Sequence, residues 1–120
     1  MTQPPALARV ILYVHDMQRV ANFYQTYFGY EVTILEDGNL IHLTSSVGGC
    51  HITILKASKG HKLGQSQVKL VFEVSDVEAF KTWCAEKGLR FGVTHTGENY
   101  AFSNARDPAQ NLIQISSRHI

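Results

Sequence analysis

The chain has 120 residues, of which 44% are hydrophobic and 18% charged, with a formal net charge of +1 at pH 7. That is enough chain for one core standing without disulfide or metal staples. A charge so near zero gives no basic footprint for nucleic acid or an anionic membrane, and no apolar run approaches the ~20 residues of a spanning helix.

The opening Met1-Thr2-Gln3-Pro4-Pro5 lacks the basic start and apolar run of a secretory leader. Residues 7–14 then alternate as a strand does. Ala8, Val10, Leu12 and Val14 share one face, and Leu7, Arg9, Ile11 and Tyr13 the other. Asp16 offers a carboxylate to the free N–H groups of a following helix. Met17, Val20, Ala21, Tyr24, Tyr27 and Phe28 recur at helical spacing, and Gly29 stops the helix. Strands are expected over 30–35, 40–44 and 50–56, with Asp37-Gly38 as the hairpin turn between the first two. Residues 57–66, with Lys59, His61 and Lys62, read as a solvated linker.

Val68, Leu70, Phe72 and Val74 alternate with Lys69, Val71 and Glu73, which predicts another half-buried strand. Ser75 and Glu78 have the spacing of a capping box. Val77, Phe80, Trp83 and Cys84 make the next helical stripe, expected as core like Tyr24, Tyr27 and Phe28, and Gly88 ends it. Strands are expected near 91–96, 100–104 and 111–117. Cys50 and Cys84 show no metal or redox spacing and read as reduced packing residues, so the expected compartment is the cytoplasm.

The two halves repeat. Val14-His15-Asp16-Met17 and Val74-Ser75-Asp76-Val77 stand sixty residues apart, and the same offset pairs Arg9 with Lys69, Val10 with Leu70, Leu12 with Phe72 and Phe23 with Trp83. Each half, about 7–56 and 67–117, reads strand, helix, three strands. With one helix per half as a crossover, the strands cannot all be parallel. The predicted class is α+β, two paired βαβββ modules in one domain over 1–120, with helices on the outer face of a curled mixed sheet. The odd-numbered faces, with Arg9 and Lys69, are then expected to line a shared cleft, the default ligand site.

These features resemble the vicinal-oxygen-chelate superfamily, which includes glyoxalase I, extradiol dioxygenases, fosfomycin resistance enzymes and bleomycin-resistance proteins. The resemblance rests on Val14-His15-Asp16-Met17 leading to Phe23-Tyr24 and Phe28-Gly29, and on Ala101-Phe102 leading to Asp107-Pro108-Ala109-Gln110-Asn111. These follow the family's "V-x-D … FY … LG" opening and "F … DP-x-G-N" closing. It implies paired βαβββ modules, commonly in a homodimer. Metal-using members place four His or Glu ligands on the first and fourth strands of each half. Those positions fall here on Arg9, Thr53, Lys69 and Gln114. Protonated Arg and Lys offer donors but no lone pair, and Thr and Gln are weak neutral ligands. No metal and no cofactor are expected at these positions.

The resemblance and the residues together imply a small-molecule-binding protein of the glyoxalase/bleomycin-resistance type. Arg9 and Lys69 favour a polar or anionic ligand. Thr53, Gln114 and His51 add hydrogen bonds, and Tyr13 and Phe102, with Tyr100 nearby, can stack on a planar group. The alternative is an enzyme of the same superfamily, a lyase, isomerase or dioxygenase-like member, with a displaced metal at His42 and His51. Catalytic residues are unassigned, although Glu73 on the cleft face could serve as an acid tuned by Lys69, whose backbone stands ~13 Å away along the strand. No serine or cysteine nucleophile has a base partner, and Gly48-Gly49 is not a phosphate loop. His15, His61 and His119 read as surface groups, and His95 as a rim residue.

Overall fold

The computed structural model describes residues 7–60 and 62–118. His61 and His119 lie outside them. The chain divides into two compact units, Met1–Lys62 and Leu63–Ile120.

In the first unit β1 (Arg9–Val14) leads through α1 (Met17–Phe28) to β2 (Glu31–Leu35), β3 (Leu40–Thr44) and β4 (His51–Lys56). The sheet order is β1-β4-β3-β2. β1 runs parallel to β4 because α1 lies in the crossover, and the other neighbours are antiparallel. Asp16 caps α1, its carboxylate accepting from the Arg19 amide at 3.1 Å. Gly29 closes α1 in the left-handed region at φ 69°, which a residue without Cβ enters without strain. Val20, Ala21, Phe23 and Tyr24 are buried, as are Ile41, Leu43, Ile52 and Ile54 of the sheet against which α1 packs. Val10 pairs with Ile52 and Leu12 with Ile54. The even-numbered face of β1 is therefore the core face.

The second unit repeats this plan with β5 (Lys69–Glu73), α2 (Val77–Glu86), β6 (His95–Gly97), β7 (Tyr100–Arg106) and β8 (Leu112–Ser116). Its order is β5-β8-β7-β6, with β5 parallel to β8. α2 packs on β7, and Val77, Cys84, Ile113 and Ile115 are buried. The class is α+β, with two four-stranded mixed sheets, as the repeat predicted.

Four local expectations are corrected. The capping-box spacing of Ser75 and Glu78 does not cap α2. Asp76 does, its carboxylate accepting from the Ala79 amide at 3.0 Å, while the Glu78 carboxylate bonds the Thr94 hydroxyl. The repeat aligned Asp76 with Asp16, and that equivalence wins. The strand expected over 91–96 is only His95–Gly97. Residues before it meet β7 through separate bonds, Gly92 N–H to Asn104 O at 2.9 Å and Ser103 Oγ to Gly92 O at 2.8 Å, rather than a ladder. The turn at Asp37-Gly38 is longer than two residues. Leu35 pairs with Leu40, and Glu36, Asp37 and Gly38 all have positive φ. Finally, Trp83 is not core. It is 41% exposed, with the Phe80 ring tilted against it at 5.7 Å and the Lys87 ammonium 5.0 Å from its ring.

Candidate functional site

In each unit one sheet face carries the helix and the other does not. Strand alternation sends Arg9, Ile11 and Tyr13 to the helix-free face of the first sheet. The register adds neighbours from β4 and β3. Arg9 stands opposite His51, Ile11 opposite Thr53, and Thr53 opposite His42. Arg9, Thr53, His51, His42 and Tyr13 thus share one face, as the odd-numbered reading required.

This face is polar at one end and apolar at the other. Arg9 is exposed, and its side chain has no hydrogen-bond or ion-pair partner among the described residues. His42 Nδ1 lies 3.2 Å from the buried Thr53 hydroxyl. His51 Nδ1 accepts the Ser45 backbone N–H at 3.0 Å, and the two imidazole centroids are 5.8 Å apart. Towards the other end Ile11, Tyr13 and Leu35 remain 44–45% exposed. The Tyr30 hydroxyl donates to Cys50 O at 2.9 Å, fixing the start of β4 against the end of α1. Burial, and secondarily the nearby Cys50, holds that phenol above its usual range.

The helix-free face of the second sheet carries Lys69, Val71 and Glu73. Lys69 stands opposite Leu112, Val71 opposite Gln114, and Gln114 opposite Asn104. The Gln114 amide donates to Asn104 Oδ1 at 2.9 Å. Phe102 stacks between His95, at 5.1 Å, and Tyr100, at 6.2 Å, and the Arg118 guanidinium covers Tyr100 at 4.9 Å. Gly97 has to lack a side chain, because a Cβ there would fall inside the Tyr100 ring. An open pocket of about 590 Å³ adjoins this array, lined by Glu98, Asn99, Tyr100, Ser117 and Arg118.

Sequence reading did not find Asn104, Arg118 or the Ser45 amide. Asn104 had a signal, since two positions separate it from Phe102 on an alternating strand. A main-chain donor such as Ser45 N–H leaves none.

The closing turn is anchored by a buried carboxylate. Asp107 Oδ1 accepts the Ala109 and Asn111 amides at 2.9 and 2.8 Å, and Oδ2 accepts the Asn111 side chain at 2.9 Å. This turn launches β8 and so sets the register of Gln114.

The Glyoxalase/Bleomycin resistance protein/Dioxygenase superfamily model matches residues 6–115. The chain belongs to that superfamily. Among solved structures it is similar to a lactoylglutathione lyase from Agrobacterium tumefaciens, at 20% identity over 95% of this chain and 94% of that one, with a TM-score of 0.72. It is similar to an antibiotic-binding protein from Streptomyces sp. CB03234, at 14% identity over 96% of each chain and a TM-score of 0.75. A glyoxalase/bleomycin resistance protein from the same organism gives 16% identity over 92% and 98%, with a TM-score of 0.70. At these identities the likeness is one of fold. No protein of curated function matches the sequence significantly.

Metal-using members of the superfamily hold the metal with His and Glu, and the positions that the resemblance implies here supply neither an imidazole nor a carboxylate. Arg9, Thr53, Lys69 and Gln114 occupy the carried-over positions with two cations and two neutral oxygens. Among the described residues no group of three His, Cys, Asp or Glu side chains is close enough to hold a metal ion. The Thr53 hydroxyl is also engaged, with His42.

Proposed function

We propose that this chain is a metal-independent small-molecule-binding protein whose helix-free sheet faces carry groups suited to a polar or anionic ligand. The observation that carries this reading is chemical. At the positions that the resemblance implies stand two cations that only donate, Arg9 and Lys69, and two neutral groups that can donate, and the cations have no side-chain partner among the described residues. Such groups recognise carboxylates, phosphates and carbonyl oxygens. The exposed Tyr13 and the Phe102 array add apolar and stacking surface for a planar body. The antibiotic-binding relative supports binding without bond making. We place the protein in the cytoplasm as a homodimer, in keeping with its superfamily.

The enzyme reading keeps one observation in its favour, the approach of His42 to His51. Two imidazoles with no third His, Cys, Asp or Glu ligand near them among the described residues make a weak site.

The test is replacement of Arg9 and Lys69 together by Met, followed by calorimetric titration with benzoate. Benzoate affinity should fall at least tenfold while the thermal unfolding transition persists. An unfolded double variant would mean that the two cations are structural, and the reading would fail.

A further inference from the structure

The helix-free face of the first unit fixes the position of one proton. The Ser45 backbone N–H donates to His51 Nδ1 at 3.0 Å. A peptide nitrogen has a hydrogen and no acceptor lone pair, so this contact occupies the Nδ1 lone pair of His51. The neutral ring then carries its proton on Nε2. The loop holding the amide is itself tied, Ser45 Oγ donating to Gly48 O at 2.6 Å. His42 has no such constraint, because the Thr53 hydroxyl beside its Nδ1 can either donate or accept.

Arg9 stands directly opposite His51 in the parallel ladder, on the same face. A guanidinium offers N–H donors only, in a fork that matches a carboxylate. Ile11 and Tyr13 follow along the strand, 44% and 45% exposed.

We infer that Arg9 and His51 form an oxyanion site in which His51 is a fixed, neutral N–H donor, and that the ligand's acidic group is a carboxylate on an apolar body. The inference rests on the helix-free face being the ligand surface, and it adds the donor, its tautomer and the acidic group. It also separates His51 from any metal set. Binding a metal through Nε2 requires moving the proton to Nδ1, which breaks the Ser45 bond.

The experiment is nitrogen NMR of histidine-labelled full-length protein at about pH 8.5, where neutral imidazole is the ordinary form. The His51 signals are assigned by their absence from a His51→Asn variant. A protonated, pyrrole-type Nε2 and a bare, pyridine-type Nδ1 are expected. A protonated Nδ1 overturns the inference, as does one equivalent of Zn²⁺ that moves His51 into that form.

Benzoate is then titrated into the same sample. His51→Asn keeps an acceptor for the Ser45 amide but loses the outer N–H, so it should melt like the parent and bind benzoate about tenfold more weakly. His51→Gln, whose amide reaches the Nε2 position, should retain most of the affinity, and it stands in if the Asn variant fails to fold. Unchanged affinity in His51→Asn overturns the donor role. A parent protein with the expected tautomer that ignores benzoate overturns the anion-binding reading instead.

Discussion

Arg9 and His51 are direct partners in the parallel β1–β4 ladder, and strand alternation puts both on the face that carries no helix. A charge at that position could be supplied by lysine, but a forked pair of donors could not. Arg9→Lys should therefore weaken benzoate binding about three- to tenfold without changing the unfolding transition. Titration calorimetry on both proteins checks it. Equal affinities would mean that only charge is read at this position.

Asp107 is 2% exposed and accepts three hydrogen bonds within one turn. Removing the carboxylate leaves the buried Ala109 amide and the part-buried Asn111 amide without their acceptor, at about 1–3 kcal/mol for a fully buried donor and less for the other. Asp107→Ala should lose about 3 kcal/mol or more in urea unfolding. Because the turn launches β8, the variant should also disturb the amide signals of Gln114.

Gln110 sits in that same turn at φ 69°, where the superfamily's closing pattern has glycine. A side chain in the left-handed region costs about 1–2 kcal/mol, partly offset by glycine's greater freedom in the unfolded chain. Gln110→Gly should raise stability by about 0.5–1 kcal/mol, seen as a higher melting temperature.

Burial pushes the Cys84 thiol up to about 11. A raised value means that the folded state holds this proton more tightly than the unfolded chain. The contribution is complete below the unfolded thiol's value of about 8.5 and is lost as pH rises through about 11. Stability should decline over that interval more steeply than in Cys84→Ala, measured by urea unfolding at a series of pH values. At neutral pH the half-buried Cys50 should react with a thiol reagent well before the buried Cys84.

Much of the fold was legible because it is written twice. The offset between Asp16 and Asp76 located both helix starts, and it did so better than the local spacing of Ser75 and Glu78. Alternation in β1 and β5 assigned the faces of Arg9 and Lys69 correctly, since one face of each sheet must be buried. What failed depended on partners outside the segment. Phe91 to Thr94 have strand-like composition, yet Ser103 and Asn104 hold that stretch by isolated bonds. Trp83 falls on a helical stripe, but its neighbours leave it 41% exposed. At the candidate site, the residue types were readable and the pairings were not. Nothing in the letters ties Gln114 to Asn104, or the Ser45 amide to His51, because these contacts join different strands and loops.

Metal content decides whether this chain binds its ligand without a metal. Untagged protein should be incubated with Mn, Fe, Ni and Zn in turn, desalted and analysed by mass spectrometry, with benzoate affinity measured before and after chelation. Metal-independent binding predicts no metal near one per chain and an affinity that chelation leaves unchanged. Stoichiometric metal, or binding lost on chelation and restored by one of these ions, would contradict it and make His42 and His51 the first residues to replace.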